Sequence, residues 1–178
     1  MKSGLDTKRL HMRPFEAGDL AQLIPIYGDH DVMAIRKLGV QSPAQTEAQL
    51  AGIMAHWQRH GFGIWALIDR DDPNGGPLLG ECGLRTWHEG GDVEISYGLA
   101  KSAWGRGLAT EASFAALDFG FQTAGLEEIA AIAQAANTAS HRVMEKLGTD
   151  SQETWESDGV GLVRYSIRKQ AYLDQIRA

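Results

Sequence analysis

The chain has one cysteine in 178 residues, Cys82, so an internal disulfide is impossible; its apolar, strand-like surroundings read as buried packing rather than nucleophilic chemistry. It lacks a signal peptide and any apolar run of membrane-spanning length, which predicts a cytoplasmic protein with no membrane partner. Positive charge is scarce: 17 Lys and Arg against 23 Asp and Glu give a formal charge of −6, which argues against a nucleic-acid partner and a tRNA-directed activity. The six histidines are scattered, with no metal-ligand spacing among themselves or with Cys82, so no metal is expected. No repeat, low-complexity tract or linker divides the chain. With 43% hydrophobic residues, its length predicts one domain over residues 1–178.

What is present is a regular alternation of patterns. Arg9 to Arg13 reads as a strand ended by Pro14, and a helical pattern then runs from Asp19 through Leu23, Ile24 and Tyr27. Ser42, Pro43 and Gln45 form an N-cap, a first-turn proline and a capping box for a helix that carries Leu50, Ile53, Met54 and Trp57 on one face and stops at Gly61. Three strands follow, Gly63 to Ile68, Leu78 to Trp87 and Asp92 to Leu99. The turn-rich run Asp71 to Pro77 and the turn Glu89-Gly90-Gly91 join them, so they predict an antiparallel meander.

A helix from about Gly107 to Thr123, stopped by Gly125, leads to a strand near Ile129 to Ala133, which suggests a parallel crossover. Another helix begins at Asn137 or Thr138 and ends at Leu147-Gly148. A hairpin through Asp158-Gly159 leads to the strand Val160 to Ile167, and Lys169 to Arg177 reads as a terminal helix. The fold class is α+β, a mixed antiparallel and parallel sheet of about seven strands flanked by helices. Trp57, Trp65, Trp87 and Trp155 read as core or pocket walls.

The informative segment is Ser102-Ala103-Trp104-Gly105-Arg106-Gly107-Leu108-Ala109-Thr110-Glu111-Ala112, which joins a strand to an apolar helix. Glycines there let the backbone approach a bulky anion, and the unpaired amides and dipole of the helix start favour a phosphate group. No Gly-Lys-Ser/Thr follows these glycines, which disfavours a P-loop nucleotide hydrolase. Glu111 reads most simply as a favourable first-turn charge, and Arg106 as solvated or touching a phosphate.

This segment, the order of elements, and Asn137-Thr138-Ala139-Ser140-His141-Arg142-Val143-Met144-Glu145-Lys146-Leu147-Gly148 together resemble the GNAT acyltransferase superfamily, and within it the RimJ/RimL-like ribosomal-protein alanine N-acetyltransferases. The resemblance runs from Arg9-Leu10 to Ile167. Thr149 departs from it, standing where an aromatic residue usually follows Leu-Gly. The resemblance implies that Trp104, Gly105, Arg106, Gly107, Leu108, Ala109 and Thr110 bind the pyrophosphate of acetyl-CoA. Asn137 and Ser140 would line its pantetheine and thioester end. It also implies that the strand ending at Leu99 splays from its neighbour, leaving backbone groups near Leu99 to bind the acyl group and stabilise an oxyanion.

Ser140 shares a helical face with Val143, Met144 and Leu147 and should point inward; it is either bonded to its own helix backbone or a donor to the departing CoA sulfur. Asn137 is compatible with both an N-cap and a ligand contact. Glu94 is the candidate general base with Glu81 as alternative, and a solvated strand carboxylate is the plain explanation of either.

The activity implied is acetyl-CoA-dependent N-acyl transfer by direct attack of an amine in a ternary complex. The acceptor is the N-terminal amine of a protein or peptide, or else a small amine such as an aminoglycoside, polyamine or amino acid. A non-catalytic acyl-CoA-binding module is the competing class, and the protein is expected as a monomer or homodimer.

Overall fold

The computed structural model describes residues 4–36, 39–72, 76–86 and 91–177. The first elements are a two-residue strand β1 (Leu5–Asp6) and β2 (Leu10–Pro14), followed by helices α1 (Leu20–Tyr27), α2 (His30–Met33) and α3 (Pro43–His60). The meander is β3 (Ile64–Asp69), β4 (Gly80–Thr86) and β5 (Val93–Leu99). Then come α4 (Leu108–Asp118), β6 (Glu128–Gln134), α5 (Thr138–Lys146), β7 (Asp150–Ser157), β8 (Val160–Arg168) and α6 (Lys169–Arg177). These strands form one sheet in the order β1-β2-β3-β4-β5-β6-β8-β7, eight rather than about seven, because β1 pairs Leu5 with Met12. A two-residue strand carries no alternation long enough to be read from sequence.

The predicted caps fold as their chemistry dictates. The Ser42 side chain accepts from the Gln45 N–H, the Gln45 side chain accepts from the Ser42 N–H at 2.8 Å, and Gly61 ends α3 in the left-handed region. Asp158 and Gly159 both take positive φ, the twist a two-residue hairpin needs between β7 and β8. The long helix after the glycine segment departs from a regular α-helix. Beyond Asp118 it widens into a π-turn, where the Ala124 N–H donates to the Phe119 carbonyl at 2.9 Å. The middle of the Asp71 to Pro77 turn (73–75), Trp87 and the Glu89-Gly90 turn lie outside the described residues.

Alternation along the strands splits the core in two. Trp65, Leu67, Cys82, Leu84 and Ile95 pack under α4, α5 and α6, whereas Ile64 and Ala66 face Leu23, Ile26, Tyr27 and Leu50 of α1 and α3. Trp57 lies edge-on to Trp65 with centroids 4.9 Å apart, which gives both the core role of the two that the sequence left open, and Trp155 sits on β7 at the sheet's edge. Cys82 is fully buried beside the Ser113 hydroxyl, and that burial pushes its thiol up to about 12, the state of an inert packing residue.

Every adjacent strand pair is antiparallel except β5 and β6, which are parallel and joined at a single bridge, Glu94 opposite Ala130. Where β3 and β4 cross, Gly83 permits the closest backbone approach: a Cβ there would overlap the Gly63 carbonyl oxygen and stand 2.6 Å from Ile64 Cα. Backbone atoms offer no rotamer relief. Gly83→Ala should therefore lower unfolding free energy by about 1–3 kcal/mol, read as a fall in the urea midpoint at unchanged slope.

Candidate functional site

The site follows from strand parity. The Leu84 N–H donates to the Gly63 carbonyl on the β3 side, so Glu81, Gly83 and Arg85 turn their backbone groups toward β5, where they face Gly98, Ser96 and Glu94. The intervening residues Tyr97 and Leu99 then point their N–H and C=O groups the other way, toward β6. Pairing with β6 stops at Glu94, so these groups face a notch between diverging strands. The Leu99 carbonyl is not open, as the sequence suggested for the backbone near Leu99: the Trp104 indole N–H donates to it at 2.8 Å. The Trp104 ring itself is 47% exposed, so it acts as a brace between the end of β5 and the following loop.

That loop makes a short 3-10 turn over Lys101–Ala103 and then places Gly105 and Gly107 at φ of 71° and 74°, a conformation that only glycine adopts without strain. Gly107 is the N-cap of α4, and no side chain caps that end, in contrast to α3 and α5. The first-turn N–H groups of Leu108, Ala109 and Thr110 therefore have no intrahelical partner. From behind, Arg9 donates to the Arg106 carbonyl at 2.7 Å. A trans peptide sets C=O and N–H on opposite sides, so this bond turns the Gly107 N–H away from Arg9. The Arg106 side chain is half-exposed, 3.7 Å from the Asp69 carboxylate, and Ser102 and Arg106 line an open depression of about 460 Å³ with Leu79.

Glu111 does more than face the helix dipole. Its carboxylate accepts from the Thr7 hydroxyl at 2.6 Å, the Arg9 N–H at 2.8 Å and the Arg9 side chain at 2.6 Å, which fastens the start of α4 to the strand at the far edge of the loop.

Across the notch, the Asn137 Oδ1 accepts from the Ser140 N–H at 3.1 Å, so Asn137 is the N-cap of α5. The Asn137 Nδ2 also donates to the Ser140 Oγ at 2.9 Å. Ser140 is half-buried, and its hydroxyl is bonded to the cap side chain rather than to its own helix backbone. Because Oγ accepts there, its proton remains to be donated elsewhere. The Tyr97 hydroxyl donates to the Ser140 carbonyl at 3.4 Å, so β5 and the start of α5 meet across the divergence. Burial raises the Tyr97 hydroxyl well above its ordinary value and keeps it a neutral donor. Thr149, the departure noted in sequence, donates its hydroxyl to the Met144 carbonyl at 2.8 Å and closes the end of α5.

The two carboxylates are not solvated strand residues, and this corrects the plain reading of both. Glu94 is 4% exposed and ion-paired with Arg85 at 2.6 Å, at the vertex where β5 leaves β6. Glu81 is 3% exposed and accepts from the Tyr27 hydroxyl and the Arg36 guanidinium. Sequence reasoning missed Tyr27 and Arg36. Neither lies in a motif, and a lone arginine after a four-residue helix gives no periodic signal.

With this geometry in place, the comparisons are decisive. A family model described as acetyltransferase (GNAT) domain matches residues 9–150. The chain belongs to the GNAT acetyltransferase family. It is 32% identical over 156 residues to the uncharacterized protein YkkB of Bacillus subtilis (strain 168), covering 86% of this chain and 88% of the relative. It is 30% identical over 148 residues to the uncharacterized N-acetyltransferase p20 of Bacillus licheniformis, covering 80% of each. The crystal structure of a GNAT-family acetyltransferase from Bacillus anthracis shares the fold at a TM-score of 0.82 and 24% identity, over 94% of this chain and 99% of that one. The protein is thus an acetyl-CoA-dependent N-acyltransferase of GNAT fold. Among the described residues no helix is long and apolar enough to cross a membrane, and no group of three or more His, Cys, Asp or Glu could hold a metal ion.

The clamp on α4 has a pH signature. Burial works to raise the Glu111 carboxyl, but the Thr7 hydroxyl and the Arg9 side chain and N–H outweigh it and hold the folded pKa below the ordinary 4.5. A depressed carboxylate stabilises the fold above its unfolded value, and that contribution disappears as pH falls through the folded value. Glu111→Gln should thus be less stable than the parent above about pH 5, with the gap closing as pH drops below the ordinary carboxylate range, measured by urea unfolding against pH.

Proposed function

We propose that this GNAT enzyme acetylates the N-terminal amine of a protein or peptide, as the RimJ/RimL-like branch does, through direct attack in a ternary complex. The observation that carries the reading is the pairing of an uncapped α4 start, entered through two left-handed glycines, with the unpaired edge of β5 beside it. A pyrophosphate needs the first, and an extended pantetheine arm needs the second. In this reading residues 1–178 act as one domain, which the single sheet from β1 to β8 supports.

Acetyl-CoA supplies an activated acyl thioester. The loop from Trp104 through Gly105, Arg106, Gly107, Leu108 and Ala109 to Thr110 holds the diphosphate with backbone N–H groups, and Arg106 adds a cation at its rim. The Leu99 N–H, pointing into the notch, donates to the developing oxyanion, an interaction worth on the order of 3 kcal/mol in comparable sites. Ser140, its lone pair engaged by Asn137, directs its O–H as a hydrogen bond to the departing thiolate, which takes its own proton from solvent and leaves the serine neutral. Glu94 at the vertex, held by Arg85, receives the proton lost from the amine. An α-amine of pKa about 7.7–8.0 is already partly neutral near physiological pH, whereas a lysine near 10.4 is almost wholly charged, so an N-terminal acceptor asks little of a buried, paired base. Positioning then supplies much of the acceleration.

The first test is calorimetric titration of the protein with acetyl-CoA and CoA, followed by thiol release with a panel of short peptides and small amines. Micromolar binding and faster release with peptides support the reading; faster release with polyamines or aminoglycosides moves the acceptor to small molecules. Binding without thiol release from any acceptor indicates a sensing module. Ser140→Ala should cut kcat by about 100-fold while leaving acetyl-CoA affinity nearly unchanged, and a full-rate variant would reduce the Ser140 hydroxyl to its structural bond with Asn137. Gly107→Phe should abolish detectable CoA binding while costing the free protein only the left-handed strain of about 1–2 kcal/mol.

A further inference from the structure

Among the described residues, two buried side-chain atoms have no hydrogen-bond partner, Arg36 Nη1 and Gln41 Oε1. They are the two ends of one chain of contacts. Arg36 Nη2 donates to Glu81, Tyr27 donates to the other Glu81 oxygen, Gln49 donates to the Tyr27 hydroxyl at 3.3 Å, and Gln41 donates to Gln49. Buried polar networks in native proteins are normally satisfied throughout, because an unmet buried donor carries its full desolvation penalty. Of the two unmet ends, the one at Arg36 is a donor buried against the strand of the site, where the acceptor atom of a ligand that displaces its cover would complete the network.

The open end lies against the catalytic strand. A Cβ on Gly98 would stand 2.8 Å from Arg36 Nη1 and 2.9 Å from its Cζ, so the guanidinium rests directly on the Gly98 backbone. Gly98 lies between Tyr97 and Leu99, whose N–H groups point into the notch. It shares with Glu94 and Ser96 the sheet face turned toward α1 and α3. The guanidinium is held there from two further sides, by stacking over the Tyr27 ring at 5.5 Å and by its pair with Glu81. Lys101, at the head of the glycine loop, is ion-paired with Asp29 at 3.4 Å and with Asp31, which ties the start of α2 to the same end of β5.

Resting on the acetyltransferase reading above, we infer that Arg36 Nη1 is a specificity donor that accepts into the site an amine bearing a neutral carbonyl next to it, the first peptide carbonyl of an N-terminal residue. The charge balance selects the carbonyl over a carboxylate. Both Glu81 oxygens accept, the pattern of a carboxylate, and it matches the Arg36 charge; Tyr27 stays a neutral hydroxyl because burial, then Glu81, pushes it well up. The network is net neutral. A free amino acid would bring a second anion against one already compensated cation in a desolvated site, which is unfavourable. An amide carbonyl needs one donor and no counter-charge. A simple alkylamine leaves Nη1 unmet.

The test compares alaninamide, alanine and isopropylamine as acceptors for the intact protein with saturating acetyl-CoA, as kcat/KM per unprotonated amine from thiol release. Alaninamide should exceed both others by about tenfold or more. Arg36→Lys keeps a charge facing Glu81 but has one nitrogen where the guanidinium fork has two, so no donor stands at the position of Nη1 against Gly98, and the preference for alaninamide over isopropylamine should collapse toward one. The ratio is internal to each variant, so a general loss of activity does not imitate it. Gly98→Ala, which crowds Nη1, should shrink the same ratio. Equal use of the three acceptors by the parent, a preference for alanine, or an undiminished ratio in both variants overturns the inference. Acetyl-CoA binding by calorimetry with turnover of any amine leaves the acetyltransferase reading standing in those cases. No binding and no turnover overturn both.

Discussion

A parallel strand pair that meets at one bridge leaves half of each strand without a partner, and the rest of this molecule is arranged around that defect. Beyond Glu94 and Ala130, Tyr97 and Leu99 present peptide groups that no strand satisfies. In an ordinary sheet such an edge is a liability, an invitation to pair with another chain. Here it is bounded. The Trp104 indole takes the Leu99 carbonyl, the Tyr97 hydroxyl reaches the start of α5, and the glycine loop closes the far end. What stays open is a short stretch of backbone that an extended ligand can pair with, as a strand would.

The charges follow the same plan. A chain with a formal charge of −6 that receives a polyanion as proposed would do so by local arrangement rather than by net charge. The Glu111 carboxylate, in the first turn of α4, is held by Thr7 and Arg9. Arg9 also turns the Arg106 carbonyl away, and with it one more negative pole. On the sheet, Glu94 and Glu81 are each matched by an arginine. Asp69, Asp71 and Asp72 line the depression beside Ser102 and Arg106, and of these Asp69 is matched by Arg106 at 3.7 Å.

The parts legible in the sequence are those whose cause is local. Ser42-Pro43-Gln45, the glycines at 105 and 107, the Asp158-Gly159 turn and the Asn137 cap each act within four residues, so spacing alone reveals them. The strand Asp92 to Leu99 is also legible, because its alternation of apolar and polar residues is local. What was not legible depends on pairs far apart in the chain. Whether Glu81 is solvated depends on Tyr27 and Arg36, and whether Glu94 is solvated depends on a cross-strand Arg85. Trp104 taking the Leu99 carbonyl depends on a loop conformation that two left-handed glycines create. The extra strand at Leu5–Asp6 owes its existence to pairing with Met12 and His11, not to any pattern of its own.

The two helices that flank the notch show how opposite solutions at their N-termini serve one site. The start of α5 is closed: Asn137 satisfies the Ser140 N–H with its oxygen and the Ser140 hydroxyl with its nitrogen. Both polar ends of the amide are used, so its orientation is fixed, and the serine keeps only its own proton to give. The start of α4 is left open, and its backbone amides are the groups on offer. A capped helix thus supplies one directed O–H, and an uncapped helix supplies several N–H groups with a favourable dipole. One suits a single developing charge on sulfur and the other a diffuse diphosphate. Exchanging the two caps would leave neither end with a donor matched to its partner.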